Sequence, residues 1–244
     1  MYKQPQVYLL TLEMLKDETY FNENILTNTT NNYYWSDNWN SDFYIELAKK
    51  GFISTTYDTK GGLVLLPELQ FDYAVLDFDD LHVSKKVKSL LNTDNYIFIQ
   101  DANLVEVIDS ISSSYKDNWL KGEYVELLKN IYSSKSEQTN FKITSFEVRC
   151  KETNNLIAGE VGYIIGKTYT SLTGFTSRDK KYNNYGNLQL VLLAKYLQEN
   201  KFSFWNLGHP HMEYKKKLGA KVYTREEFLK RWNKASLLPI VNPS

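Results

Sequence analysis

The chain has 244 residues, of which 42% are hydrophobic and 15% aromatic; this is enough for one large domain or two of ordinary size and excludes a disordered chain. Its 29 Lys and Arg balance 29 Asp and Glu, so no global positive field draws it to nucleic acid or anionic lipid. Any contact with nucleic acid must therefore use a local basic surface.

The single cysteine, Cys150, excludes an intramolecular disulfide, and no spacing of Cys and His resembles a zinc site. The first twenty residues interrupt their apolar positions with Thr, Glu, Lys and Asp, so no signal peptide is predicted. No stretch approaches the ~20 apolar residues of a membrane span. We therefore expect a cytoplasmic protein that does not associate with membranes.

The first third of the chain predicts short elements separated by irregular structure. Residues 22–42 are rich in Asn, Thr, Ser, Tyr and Trp, a composition typical of loops. A short helix is expected from Asp42 to Lys50, followed by a glycine suited to a helix end. Strands at 62–66 and 71–78 lie on either side of Pro67 and predict a hairpin or a tight strand pair.

The next predicted helix, His82 to Leu91, is amphipathic and carries its lysines away from the apolar side; these are Lys85, Lys86 and Lys88. It is the local basic surface that a neutral protein needs for phosphate contacts. A strand over 96–100 and a helix over 103–111 follow. Residues 115–132 predict a further helix with Trp119 on its apolar side.

From Phe141 onward the pattern changes to three consecutive strands joined by short turns, 141–150, 156–165 and 168–175, which predict an antiparallel meander. After a polar loop, helix Leu188–Glu199 is apolar almost all round and must be buried on more than one side. The remaining predicted elements are a strand over 202–207, a helical turn over 213–217, a strand at 222–223 and a helix over 225–232.

We therefore predict two domains: an α+β domain over residues 1–138 that contains the basic helix, and a second domain over residues 139–244, with residues 133–139 as the linker. The order of elements in the second half resembles the acetyltransferase-like fold of the GNAT superfamily. The expected fold class is thus α+β, with a GNAT-like (acyl-CoA N-acyltransferase-like) carboxy-terminal domain and a smaller α+β amino-terminal domain.

Three strings narrow this resemblance to the bacterial leucyl/phenylalanyl-tRNA-protein transferases. Residues 146–166 resemble their "SVEVW...LVGGLYGVAIG" stretch, residues 82–87 resemble their "HVSRSLRK" helix, and residues 218–229 resemble their "SLGA...R.EFL" tail. The strings occur in the same order as in the family. Together the matched segments extend over residues 35–232.

The resemblance implies an aminoacyltransferase that moves Leu or Phe from the 3′ end of its tRNA to the α-amino group of a protein with an amino-terminal Arg or Lys. The implied partners are the aminoacyl-tRNA acceptor end and that acceptor protein, with no cofactor and a monomeric enzyme. An α-amine has an ordinary pKa of ~7.7–8.0, so an appreciable fraction is already nucleophilic at neutral pH. Positioning can account for much of such an ester aminolysis.

The chain departs from the family at its polar site residues. The family motif GESMFS falls on residues 171–176, so its pocket Glu becomes Leu172 and its pocket Met becomes Gly174. The motif DCQ, whose Asp and Gln are held to act in the peptide-bond step, falls on Asn206 to Gly208. Asn206 can orient the acceptor amine, but it cannot accept a proton as a carboxylate does.

Glu160 is the candidate substitute carboxylate, because it replaces a family Gly on a central strand; the alternative is an ordinary sheet-edge or salt-bridged Glu. The resemblance pairs Trp119 with the Trp of the family string "TWI", which stacks on the terminal adenosine; a core position is the alternative. The expected pocket for the transferred side chain is formed by Tyr169, Leu172, Thr173, Gly174, Phe175, Trp205 and Gly208. Lys85, Lys86 and Lys88 are expected on tRNA phosphates.

Two other functions stay open. A true acetyltransferase normally carries R/Q-x-x-G-x-G/A before the long helix, whereas residues 178–187 contain one Gly and two Tyr. A non-catalytic member of the same fold that only binds would fit the changed polar residues. His209 and His211 flank a proline without an obvious third ligand, so a loop is expected there and no metal site.

Overall fold

The computed structural model describes residues 7–134 and 140–240. Eleven strands occur within these ranges: β1 (Tyr8–Leu9), β2 (Tyr34–Trp35), β3 (Ile53–Thr59), β4 (Gly62–Glu68), β5 (Asp72–Leu76), β6 (Tyr96–Gln100), β7 (Phe141–Cys150), β8 (Leu156–Ile165), β9 (Thr168–Thr176), β10 (Phe204–Gly208) and β11 (Lys221–Thr224). Seven of them form one central sheet in the order β11-β5-β10-β9-β8-β7-β6. Neighbours in this sheet are antiparallel except β9 and β10, which are parallel.

Helices cover both faces of the central sheet. The described α-helices are α1 (Leu12–Lys16), α2 (Glu18–Tyr20), α3 (Ser41–Lys49), α4 (Lys85–Leu91), α5 (Leu104–Ser114), α6 (Glu123–Ser133), α7 (Tyr185–Glu199), α8 (Glu213–Leu218) and α9 (Arg225–Ser236). One core packs α7 and α4 on one face around the buried Tyr169 and Trp205. A second core joins α3, α5, α6 and α9 on the other face. None of the helices within the described ranges is long and apolar enough to cross a membrane.

The α+β, GNAT-like prediction is confirmed. The meander appears as β7, β8 and β9, and α7 then returns the chain so that β10 lies parallel to β9. Helix α7 begins at Tyr185, three residues before the prediction, and buries residues on more than one side as expected, among them Leu188, Leu193 and Leu197.

The predicted pairing of the two strands around Pro67 is wrong. Strand β4 pairs with β3, a strand that the sequence analysis missed, through a two-residue connection at 60–61. Strand β5 instead enters the central sheet between β10 and β11. The β-branched residues of Ile53–Thr59 and the Gly after Lys60 are the local signals for the β3–β4 hairpin.

The predicted helix over 115–132 is shorter in the structure. Helix α6 begins only at Glu123, after Gly122 with φ +52°. Before it, the Asn118 side chain accepts a hydrogen bond from the Leu120 N–H and donates one to the Leu120 carbonyl. This local turn competes with helix formation and places Trp119 in a loop.

The predicted domain boundary crosses the central sheet. Strands β5 and β6 precede residue 138, yet they pair with strands that follow it. Most of the predicted linker, residues 135–139, lies outside the described residues. The division into 1–138 and 139–244 stays a prediction, and any such boundary has to divide a shared sheet.

Candidate functional site

The parallel strands β9 and β10 are paired over only three residues. Phe204 to Asn206 lie opposite Thr168 to Thr170. Beyond this pairing each strand has an irregularity in register: Leu172 is an extra residue in β9, and Leu207 is one in β10. A bulge bends its strand and increases the local twist, so the two strands separate here. A cavity of about 560 Å³ opens at this split.

The cavity contains most of the predicted site residues. Its wall includes Trp119, Glu160, Leu172, Thr173, Gly174, Phe175 and Gly208. The remaining wall comes from the loop before α6, from α7 and α8, and from the ends of β3 and β10. A volume of this size is typical of small-molecule sites, which range over ~300–1,000 Å³. The split between β9 and β10 is therefore the candidate site.

Glu160 is a buried carboxylate on the cavity wall. Its Oε1 accepts hydrogen bonds from the hydroxyls of Tyr169 and Ser171, both at 2.7 Å, and its Oε2 accepts one from the Gln189 amide at 3.1 Å. Burial raises the pKa of Glu160, while these hydrogen bonds act in the opposite direction. The surroundings are hydrogen-bonding side chains and not the salt bridge considered as the alternative.

Gly174 lies directly across the strand pair from Glu160. A Cβ at Gly174 would lie 2.9 Å from the Glu160 Cβ and 2.8 Å from the Gly159 carbonyl oxygen, so a side chain does not fit. In the family resemblance, position 174 carries Met and position 160 carries Gly, so the larger side chain is on β9 there and on β8 in this chain. The absence of a side chain at 174 leaves the space that the Glu160 side chain occupies.

Lys215 is a site residue that the sequence analysis missed. Its ammonium donates to the carbonyl oxygens of Leu207 at 2.5 Å and His209 at 2.7 Å, on either side of Gly208. Burial lowers its pKa to about 8, and the charge of Glu160 acts in the opposite direction. The run Lys215 to Lys217 is typical of a solvated helix face. Only its i,i+3 spacing from the buried Leu218 indicates that Lys215 points inward.

His209 is a second missed residue on the cavity wall. Its Nε2 lies 2.7 Å from Oε2 of Glu68, a buried carboxylate at the end of β4. The other carboxylate oxygen, Oε1, accepts a hydrogen bond from the Asn32 amide at 2.5 Å. Among residues 7–134 and 140–240 no cluster of three or more His, Cys, Asp or Glu can hold a metal ion.

Three predicted site residues lie behind the cavity wall and not on it. Asn206 is buried, accepts a hydrogen bond from the Gly208 N–H at 3.0 Å and donates one to the Thr170 hydroxyl at 3.3 Å. Trp205 is buried as well and donates to the Ser171 hydroxyl at 2.8 Å. The third, Tyr169, reaches the site through Glu160. These side chains hold the shape of the split, and the role of Asn206 in orienting an amine stays a prediction.

Trp119 lies in the loop before α6 with one side packed on Tyr124, at a ring-centroid distance of 5.6 Å. Its backbone carbonyl accepts a hydrogen bond from the Thr56 hydroxyl at 2.5 Å. The side chain is partly exposed and also lines the cavity. An indole fixed at a cavity wall in this way can stack on a flat ligand.

The basic helix α4 lies next to the site. Lys85, Lys86 and Lys88 are exposed and do not line the large cavity. A smaller cavity of about 270 Å³ separates α4 from α7 and α8 and shares Leu190 and Tyr214 with the larger one. The predicted phosphate-binding surface therefore adjoins the split.

The model of the leucyl/phenylalanyl-tRNA protein transferase family matches residues 75–233. A search of curated protein sequences finds no match. One similar solved structure is FemX, which is 11% identical; the match covers 80% of this chain and 70% of that chain with a TM-score of 0.47. Another is the C-terminal domain of a putative lysylphosphatidylglycerol synthetase from Agrobacterium fabrum, which is 12% identical; the match covers 80% of this chain and 69% of that chain with a TM-score of 0.45. L-PGS from Bacillus licheniformis is also similar: it is 11% identical, and the match covers 75% of this chain and 55% of that chain with a TM-score of 0.39. Since the family model covers well over half of the chain, the chain belongs to the leucyl/phenylalanyl-tRNA protein transferase family, a family of aminoacyltransferases.

Proposed function

We propose that the chain transfers an amino acid of the Leu or Phe type from aminoacyl-tRNA to the amino-terminal α-amine of an acceptor protein. The observation that carries this proposal is the cavity at the split between β9 and β10, which joins an exposed indole, an apolar wall and a buried cation. An aminoacylated terminal adenosine presents three matching parts: a flat base, an apolar side chain and an ester carbonyl.

Each part of the donor has a proposed place in the cavity. Trp119 stacks on the terminal adenine, a contact worth ~1–3 kcal/mol per base. Leu172, Thr173 and Phe175 contact the transferred side chain, which selects an apolar amino acid. Gly174 lies on the same wall, and its carbonyl accepts a hydrogen bond from the Tyr115 hydroxyl at 3.0 Å.

The reaction is ester aminolysis: a bond forms between the α-amine nitrogen and the carbonyl carbon, and the bond from that carbon to the 3′ oxygen breaks. Negative charge develops on the carbonyl oxygen in the transition state. Lys215 uses two of its three N–H donors on protein carbonyls and lies 5.9 Å from the centroid of the Tyr214 ring, and the described residues supply no hydrogen-bond acceptor for the third donor. We assign that donor to the developing oxyanion, where a preorganised cation in a partly buried site is most effective.

Glu160 and Asn206 act on the reaction centre indirectly, through the groups that they hold in place. Glu160 fixes the donors around the reaction centre and supplies the negative charge opposite Lys215. Asn206 acts through Gly208, whose N–H it holds at the start of the loop to α8. Lys85, Lys86 and Lys88 contact the tRNA phosphates, since they form an exposed basic surface beside the cavity.

The test is a transfer assay with purified protein, a short peptide with amino-terminal Arg, and tRNAs charged with labelled Leu, Phe, Met or Ala. We expect transfer of the large apolar amino acids. Trp119→Ala should weaken donor binding by ~1–3 kcal/mol. Trp39→Ala is the matched control, because Trp39 is partly buried in the same core but does not line the cavity.

A folded protein that transfers no amino acid from any of these tRNAs would contradict the proposal. Binding of the Arg peptide without turnover would then favour a non-catalytic member of the fold. Thermal stabilisation by acetyl-CoA but not by an aminoacyl-adenosine analogue would favour an acetyltransferase, since a ligand stabilises the state that binds it.

A further inference from the structure

We propose that His209, held in place by Glu68, accepts the proton that the acceptor amine loses during transfer. This inference rests on the proposed function, because it takes the amine as the nucleophile. A proton acceptor would speed the reaction, and Asn206, where the resemblance implies a carboxylate, is an amide that does not accept a proton near neutral pH.

The carboxylate of Glu68 fixes the imidazole. Glu68 is buried, and its Oε2 lies 2.7 Å from Nε2 of His209. Its other oxygen is held by the Asn32 amide, so the carboxylate cannot turn away. A carboxylate at this distance is satisfied by an N–H donor, which places the ring proton on Nε2 and leaves the lone pair on Nδ1. The described residues provide no hydrogen-bond partner for Nδ1.

His209 also has the required position. It follows Gly208 at the end of β10, lines the cavity, and has 42% of its side chain exposed. Its backbone carbonyl accepts a hydrogen bond from Lys215 at 2.7 Å, so the imidazole and the proposed oxyanion donor belong to the same end of the cavity. A base oriented by a buried carboxylate beside a reaction centre is a recurring arrangement in acyl transfer.

Glu160 is the other candidate for this proton, and its contacts argue against it. Both of its oxygens already accept hydrogen bonds from fixed donors, and it is almost fully buried. An acceptor peptide reaches the exposed ring of His209 without displacing those donors. Imidazole is moreover the side chain that most often acts as a general base in enzymes.

The proposed step balances without any further reactant. The amine nitrogen attacks the carbonyl carbon, the π electron pair moves to the carbonyl oxygen, and Nδ1 of His209 takes a proton from the nitrogen. When the carbonyl re-forms, the bond to the 3′ oxygen breaks and the imidazolium returns the proton to that oxygen as a hydroxyl. Glu68 orients the ring and does not take up the proton, so it is a positioning residue.

The test measures transfer to an Arg peptide by the full chain and by His209→Ala. We expect kcat to fall ~10²–10⁴-fold, the usual contribution of a general base, with binding of a non-hydrolysable aminoacyl-adenosine analogue unchanged. Added imidazole should restore part of the missing rate, which no structural role of His209 predicts. His211→Ala is the control: its ring stacks on that of His209 at a centroid distance of 5.7 Å but does not line the cavity, so we expect a far smaller loss of rate and no rescue by imidazole.

Glu68→Gln gives a second measurement, because it keeps the size of the side chain and removes its charge. We expect kcat to fall with little change in KM, and no rescue by imidazole. Full activity of His209→Ala beside active wild-type protein would overturn this inference alone. So would a folded His209→Ala that binds the analogue but is not rescued. Absence of transfer by the wild-type protein with every charged tRNA would overturn the proposed function as well.

Discussion

The two halves of the β9–β10 pair show how one pair of strands serves stability and a candidate site. In the paired half, Phe204 and Trp205 lie beside Thr168 and Tyr169, and all four are buried. In the open half, beyond Thr170, residues 171–174 of β9 are partly exposed around the cavity. The two bulged residues therefore lie where the packed pair opens into the candidate cleft.

The two halves also differ in charge. The paired residues Phe204 to Asn206 and Thr168 to Thr170 are all uncharged. In the open half, Glu160 and Lys215 bring opposite charges to a space that the described residues leave unfilled. Buried charges cost stability, so their presence is typical of a functional site.

Truncation in the paired half should destabilise the protein most. Trp205→Ala removes a fully buried indole and should lower the free energy of unfolding by ~3–5 kcal/mol. Urea unfolding followed by circular dichroism measures this. Trp119→Ala, in the open half, should cost clearly less stability because its side chain is partly exposed. Equal losses in the two variants would contradict the division into a packed and an open half.

The buried charge of Lys215 in the open half should make the stability of the protein depend on pH. The pKa of Lys215 is lowered to about 8 from 10.5, so between these values the unfolded chain holds a proton that the folded chain has released. Stability should therefore rise with pH across this window, by up to ~3 kcal/mol at ~1.4 kcal/mol per pKa unit. Lys215→Met should lack this increment when unfolding is compared at pH 7.5 and pH 10.

The matched control for Lys215 is Lys216→Met. Lys216 is the next residue of α8 and is exposed. This variant should keep the pH increment of the wild-type protein. An identical pH dependence of Lys215→Met and wild-type protein would show that Lys215 is not desolvated in solution.

At the edge of the open half, where β8 faces β9, a larger side chain should destabilise the protein. Gly174→Met should destabilise the protein by ~1–3 kcal/mol, because its Cβ meets Glu160 and the Gly159 carbonyl. Adding Glu160→Gly should relieve part of this loss, since the two positions face each other across β8 and β9. A double-mutant cycle measures the coupling between the two substitutions. Strictly additive effects would argue against the idea that a side chain at 174 and a side chain at 160 compete for the same space.

The mildest change is predicted outside the split, on α4. Replacing Lys85 and Lys86 with Glu should weaken tRNA binding and flatten its salt dependence, by about one unit of log–log slope for each phosphate that the protein no longer neutralises. Filter binding over a range of salt concentrations measures the slope. Lys230→Glu with Lys234→Glu on α9 is the control pair, since both are exposed and α9 packs on the opposite face of the sheet. Equal slopes for the two pairs would exclude α4 from the tRNA-binding surface.

The fold was predictable where its signals are local. The meander of β7 to β9 has an alternating pattern and short turns, and both the strands and their pairing follow from the sequence. The position of β5 was not predictable in the same way. Its partners are β10 and β11, and pairing over such a separation in sequence leaves no local pattern.

The residues of the candidate site likewise differ in how well the sequence predicts them. Glu160, Trp119 and the β9 residues were predicted because each pairs with a residue of a family string, although Trp119 was expected on a helix and lies in a loop. Lys215 and His209 were not, because a lysine run and a His-Pro-His loop are typical of exposed segments. It is the packing of α8 and of the end of β4 that turns them toward the cavity. Such tertiary packing is not encoded in any short motif.

The place of β5 also bears on how the protein is made. Both of its neighbours in the sheet, β10 and β11, come from the last fifth of the chain, roughly 130 or more residues later. During synthesis on the ribosome both edges of β5 remain unpaired until nearly the whole polypeptide has emerged. Strands in that condition are prone to wrong intermolecular pairing. We expect chains that terminate before β10 to aggregate, and chaperones that cover exposed strand edges to raise the yield of the complete protein.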